Sequence, residues 1–128
     1  MDSWQIILTD SLDEAGVTIL EKESRVVGKK GITADDLKKE IKNYDAVIVR
    51  SRTKVTRELI AVAPNLKVIG RCGVGVDNID IEAAAERGII VVNAPCATTT
   101  SVAELTVGMI FCLAREIPRA DAGLKHGG

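Results

Sequence analysis

The chain has 128 residues, of which 46% are hydrophobic and 27% charged, with 17 basic residues against 18 acidic ones and a formal net charge of −1. That composition excludes a disordered polymer and supports one compact domain with a sizeable core. It gives no basic excess for neutralising a nucleic-acid backbone. The three aromatic residues, Trp4, Tyr44 and Phe111, give no platform for stacked bases.

In chain order, Trp4 to Thr9 reads as a strand, and with only a short apolar run after Asp2 no signal peptide is expected. Ser11 and Glu14 have the spacing of a capping box opening a helix whose apolar face is Leu12, Ala15, Ile19 and Leu20. Arg25 to Val27 is a short strand, and a turn from Gly28 to Gly31 follows. Thr33 to Asp36 opens a second helix with Leu37 and Ile41 inward. Ala46 to Val49 is a continuous apolar, β-branched run, the pattern of a strand covered on both faces in a parallel sheet. A helix is expected from Thr56 to Ala63, stopped by Pro64, and a strand from Leu66 to Gly70. A helix from Ile81 to Arg87 ends at Gly88, and Ile89 to Val92 is a fifth strand.

Strands alternating with helices in this way predict a flavodoxin-like, three-layer α/β domain with a five-stranded parallel sheet, and connections of this length imply right-handed crossovers. The domain is expected over residues 1–96, with a loop, a long helix and a tail over 97–128. The helix, about Ser101 to Glu116, confines Ser101, Glu104, Gly108 and Arg115 to a stripe of about 60°. Its other faces are apolar, so it expects a further partner, and a homodimer through this helix is the first candidate. No element is expected after it, where the chain passes through Gly123, Gly127 and Gly128. The densest apolar stretch, Val107 to Ala114, is too short to span a membrane.

In open α/β sheets ligands bind beyond the carboxyl ends of the strands. There the sequence offers Arg50-Ser51-Arg52-Thr53-Lys54 after the third strand and Arg71-Cys72-Gly73-Val74-Gly75-Val76-Asp77-Asn78 after the fourth. Guanidinium groups beside a glycine loop with free N–H donors suit a small carboxylate or phosphate. Arg50 is the better candidate, because strand alternation sends Arg52 and Lys54 into a solvated run. The glycine loop is no dinucleotide fingerprint: Asn78 stands in place of the third glycine, and the loop follows the fourth strand rather than the first. Asp77 and Asp80 fit helix capping better than metal ligation, and no metal site is predicted. His126, the lone histidine, has no predicted partner for acid–base work. Cys72 and Cys112 lie in apolar runs and read as buried, Cys96 lies in a loop, and three unpaired thiols suit a reducing cytoplasm.

The blocks Val49 to Val55, Val68 to Asp80, Gly88 to Pro95, Ser101 to Thr106 and Leu113 to Arg115 resemble the D-2-hydroxyacid dehydrogenases. They are most similar to the branch that oxidises 3-phosphoglycerate with NAD in serine biosynthesis, and Thr9 to Leu12 fits that branch too. The resemblance implies a substrate-binding, or lid, domain followed by an interdomain helix that also makes the dimer contact. It implies that Val74 and Gly75 offer backbone N–H groups to the substrate carboxylate, that Arg50 and Arg71 hold the anion, and that Val74 lies near the nicotinamide. It places the Rossmann domain for NAD and the catalytic Arg, Glu and His after residue 128, so that no catalytic residue is expected in this chain and no turnover from it alone. Thr98 and Thr99 depart from the asparagine and serine common there in the family. Two other readings compete. One is a non-catalytic, homodimerising flavodoxin-like interaction module. The other is a flavin binder, which the scarcity of aromatics opposes.

Overall fold

The computed structural model describes residues 3–127; Asp2 and Gly128, named above, lie outside the described residues. The chain divides into two units, Met1–Pro95 and Cys96–Gly128.

The first unit is built on a five-stranded, all-parallel sheet in the order β2-β1-β3-β4-β5. Its strands are β1 (Trp4–Leu8), β2 (Ser24–Gly28), β3 (Ala46–Val49), β4 (Val68–Arg71) and β5 (Ile90–Asn93). The helices are α1 (Glu14–Glu21), α2 (Ala34–Glu40), α3 (Arg57–Ala61) and α4 (Ile81–Glu86). This is the flavodoxin-like arrangement that the alternation of periods predicts. All four helices begin on side-chain caps, Asp13 for α1 among them, each satisfying a backbone donor left over in the first turn. Thr33 accepts from Asp36 N–H in α2, Thr56 from Leu59 N–H in α3, and Asp80 from Ala83 N–H in α4. Asp80 is thus a cap, and among the described residues no group of three or more His, Cys, Asp or Glu is placed to hold a metal ion. Gly88 ends α4 with φ at +67°, where a side chain would be strained.

The larger hydrophobic cluster lies on the face covered by α2, α3 and α4. Ile7, Val47 and Ile69 from the three central strands meet Leu37, Leu59, Ile60 and Ala84 there. The opposite face is thinner: Ile6, Leu8 and Ala46 pack under Leu12, Val17 and Leu20 of the α1 region. Register carries one row of that face across the sheet, from Ile6 to Ala46, Val68 and Ile90. Cover fades along the row, so that Ile6 is 7% exposed and Ile90 62%. The central strands are therefore buried on both sides, whereas edge strand β5 keeps one side open.

Two expectations for α1 are corrected. Its cap is Asp13, which accepts from Ala15 N–H, so Ser11 and Glu14 form no capping box. Of the expected apolar face, Leu12 and Leu20 do pack on the sheet, joined by Val17, whereas Ala15 and Ile19 are exposed. Cys72 and Cys112 are half-buried rather than buried, and Cys96 is exposed.

The second unit holds α5 (Thr99–Ala114) and α6 (Ile117–Lys125). The second helix is a further correction, since no element was expected there. Glu116 takes a left-handed conformation, φ +51°, and breaks the path between them. Pro118 suits the first turn of a new helix because its missing N–H would have had no partner there. The Lys125–Asp121 pair, 2.7 Å, supports the last turn. In α5, Val102, Leu105, Ile110 and Leu113 are all more than half exposed. Among the described residues no helix is long and apolar enough to cross a membrane.

Candidate anion site at the carboxyl edge of the sheet

The parallel sheet brings the ends of β1, β3, β4 and β5 to one edge. Register sets Val49 beside Arg71 and Arg71 beside Asn93. Each strand stops there, so the loops beyond it carry polar groups that the ladder leaves unpaired.

The segment after β3 is fastened at several points. Asp10, at the end of β1, accepts from Arg50 N–H at 2.9 Å, Arg52 Nε at 2.9 Å and Thr53 Oγ1 at 3.3 Å. Burial raises the pKa of Asp10, but the bonds from Arg50, Arg52 and Thr53 outweigh it and hold the carboxyl below its ordinary value. Arg52 also donates to the carbonyls of Thr9, at 2.5 Å, and Ile32, at 3.3 Å. Arg52 is therefore a tether between the first strand, the segment before α2 and the third strand end, and not part of a solvated run. Lys54 is exposed. The guanidinium of Arg50 has no hydrogen bond or ion pair among the described residues.

Arg71 behaves differently. Its Nη2 donates to Ser51 Oγ at 2.9 Å, which links the ends of β3 and β4. Its Nε is buried without a partner. The guanidinium lies so close over Gly73 that a Cβ there would stand 1.5 Å from Nη1. Gly73 is thus required by close approach. At Gly75 a Cβ would lie 2.9 Å from Asp77 Oδ1, the end of a side chain that can swing aside.

The loop itself presents donors. Among the described residues, the backbone N–H groups of Val74, Gly75, Val76, Asp77 and Asn78 donate to nothing. Its carbonyls are used instead: Asn93 Nδ2 donates to Val74 O at 2.7 Å, and Ala94 N–H to Gly73 O at 3.0 Å. A row of unpaired N–H donors in a loop that begins at Arg71 is suited to an anion. The Asp77 carboxylate beside Gly75 is the opposing charge in the loop.

Four residues of this edge have no role assigned by the sequence alone: Asp10, Ser51, Asn78 and Asn93. Asn78 donates through Nδ2 to Arg50 O at 2.8 Å and to Thr53 O at 2.6 Å, while its Oδ1 is buried and unpartnered. Its position in the glycine loop was the available signal, since an asparagine there can bond to neighbouring backbone. His126 is exposed at the end of α6, where only its backbone N–H is engaged, by Ala122 O. A separate cavity of about 380 Å³ lies between α2 and α3, floored by Leu37 and Leu59; Arg50, Arg71 and the glycine loop do not line it.

The strand order is that of a flavodoxin-like sheet, and the family follows from the sequence comparison. Residues 6–120 match the model of the D-isomer specific 2-hydroxyacid dehydrogenase catalytic domain, and the chain belongs to that family. Among its relatives it is similar to D-3-phosphoglycerate dehydrogenase of Methanocaldococcus jannaschii, with 55% identity over 96% of this chain and 24% of that one. It is 46% identical to the human D-3-phosphoglycerate dehydrogenase over 96% of this chain and 23% of that one. The chain thus spans about a quarter of the length of these curated relatives. Among solved structures, NAD+-bound 3-phosphoglycerate dehydrogenase of Entamoeba histolytica matches with a TM-score of 0.69 and 37% identity, over 87% of this chain and 39% of that one. A Pyrococcus horikoshii protein matches with a TM-score of 0.81 and 34% identity, over 98% of this chain and 38% of that one.

Proposed function

We propose that this chain is the substrate-binding part of an NAD-dependent dehydrogenase acting on 3-phosphoglycerate. The observation that carries the reading is the run of unpaired N–H groups from Val74 to Asn78, in a loop that follows Arg71 and is stitched through Asn78 to the backbone of Arg50. A carboxylate seated on the amides of Val74 and Gly75 receives two charge-assisted hydrogen bonds. Arg50, whose guanidinium is unpaired, and Arg71, which is anchored to Ser51, then face the remaining negative charge, including a phosphate. In this reading the unit Met1–Pro95 is the lid domain. The helix Thr99–Ala114 then serves as interdomain and dimer contact through its exposed apolar side chains.

The residues present fit the edge of a nicotinamide cofactor rather than its pyrophosphate. The exposed Val74 side chain gives the ring an apolar surface, whereas α4 begins three residues after Asn78 on its own Asp80 cap, so the glycine loop does not run straight into a helix. Bound NAD would supply the acceptor for a hydride from C2 of the substrate, and 3-phosphohydroxypyruvate and NADH would be the products once a base had taken the hydroxyl proton. The contribution of this chain is to hold and orient the anion for that transfer. No residue of it is assigned to the proton.

Amide resonances test the reading. Adding 3-phosphoglycerate to the labelled chain shifts the N–H signals of Val74 and Gly75, and uncharged glycerol does not. Shifts confined to other residues contradict it. Incubated with NAD and 3-phosphoglycerate, the chain alone makes no NADH; steady NADH production would show that the acid–base machinery is here after all.

A further inference from the structure

The backbone of Arg50 is gripped by a side chain from the segment after β1 and by one from the glycine loop. Its N–H donates to Asp10 Oδ2, and its carbonyl accepts from Asn78 Nδ2 at 2.8 Å. The second hydrogen of that NH₂ group goes to Thr53 O at 2.6 Å. The main chain adds further stitches: Val55 N–H donates to Asn78 O at 2.8 Å, and Asp80 N–H to Val55 O at 2.9 Å. Asn78 therefore fastens the segment that carries Arg50 to the loop that carries the free amides. Its Oδ1 is buried without a partner, so its contribution is the pair of donated hydrogens. An aspartate would turn acceptors toward two carbonyl oxygens, and an alanine would leave both carbonyls without that donor.

We propose that Asn78 is a positioning residue for the anion site, fixing the carbonyls of Arg50 and Thr53 so that the unpaired Arg50 guanidinium approaches a ligand on the Val74 and Gly75 amides from one direction. This rests on the anion-binding reading given above. The orientation of a charged group relative to fixed amides decides how much of its interaction a ligand collects, and the Asn78 side chain acts on the ligand only through Arg50.

A double-mutant cycle separates this role from a general loosening of the fold. The full chain and its Asn78→Ala, Arg50→Ala and doubly substituted variants are titrated with 3-phosphoglycerate by calorimetry, and thermal melts are recorded alongside. We expect each single substitution to weaken binding by roughly tenfold, as the loss of a charge-assisted contact does, and the double variant to bind within about twofold of Arg50→Ala. If Asn78→Ala gives no cooperative melt, Asn78→Ser, which keeps one donor, takes its place in the cycle. Unchanged binding by the Asn78 variant, or a double variant weakened by the product of the two single losses, overturns the positioning role alone. An unsubstituted chain that takes up no 3-phosphoglycerate overturns this role and the anion-binding reading together.

Discussion

At the scale of single residues, the carboxyl edge of the sheet depends on a few side chains that hold backbone rather than ligand. Asp10 receives donors from Arg50, Arg52 and Thr53. Replacing it with asparagine removes the charge from those bonds and is expected to cost roughly 1.5–3 kcal/mol in urea unfolding at pH 7. Because its carboxyl is held below its ordinary pKa, the folded state favours the ionised form. That stability is fully present above the ordinary carboxylate range near pH 4 and is lost as pH falls through the lowered folded value. Asp10→Asn should therefore flatten the acid limb of the stability profile; an unchanged limb would remove Asp10 from this role. Gly73→Ala would force Arg71 off its seat, and 3-phosphoglycerate affinity should fall with it, as measured by titration against Arg71→Ala. Arg50 and Arg71 were legible as candidates because their place at strand ends can be counted from the sequence. The tether made by Arg52 was not, because alternation describes a strand, and the chain leaves β3 at Val49. Asp10 and Asn78 were missed because their partners lie 40 and 28 residues away, a proximity that only the sheet order creates.

At the scale of elements, strands and helix starts were read where the local signal had no competitor. The run Ala46–Val49 reads as a strand buried on both faces, and β3 has those bounds at the centre of the sheet. Thr33 reads as the start of the second helix, and its hydroxyl is the cap. The start of the first helix was misplaced because Ser11 and Asp13 both suit a cap and the spacing of Ser11 to Glu14 favours the earlier one, while of its expected face Leu12 and Leu20 are packed and Ile19 is not. That difference has an energetic consequence. Leu37→Ala removes a side chain that is 2% exposed and should cost about 2–5 kcal/mol. Ile19→Ala alters one that is 65% exposed and should change stability by no more than about 0.5 kcal/mol, whereas a core role would give a loss like that of Leu37. The helix after α5 was overlooked because glycines at 123, 127 and 128 suggest a tail, while Pro118 is equally at home in a first helical turn.

At the scale of the whole molecule, two surfaces look outward for partners of different chemistry. The apolar side chains of α5 predict self-association. Static light scattering of the chain should give at least a dimer mass, and Leu105→Glu with Leu113→Glu should reduce it to that of one chain; a monomer before substitution would contradict the dimer reading. The carboxyl edge predicts an anion, and here belonging to the 2-hydroxyacid dehydrogenases and the chemistry of the site agree: guanidinium groups and unpaired amides suit a molecule with a carboxylate at one end and a phosphate at the other. Calorimetric titration of the chain with 3-phosphoglycerate, repeated with Arg50→Ala and Arg71→Ala, tests this most directly. We expect saturable binding that weakens by roughly tenfold or more in each variant. No heat at millimolar ligand, or equal affinity in all three proteins, would show that the edge of the sheet does not hold this substrate.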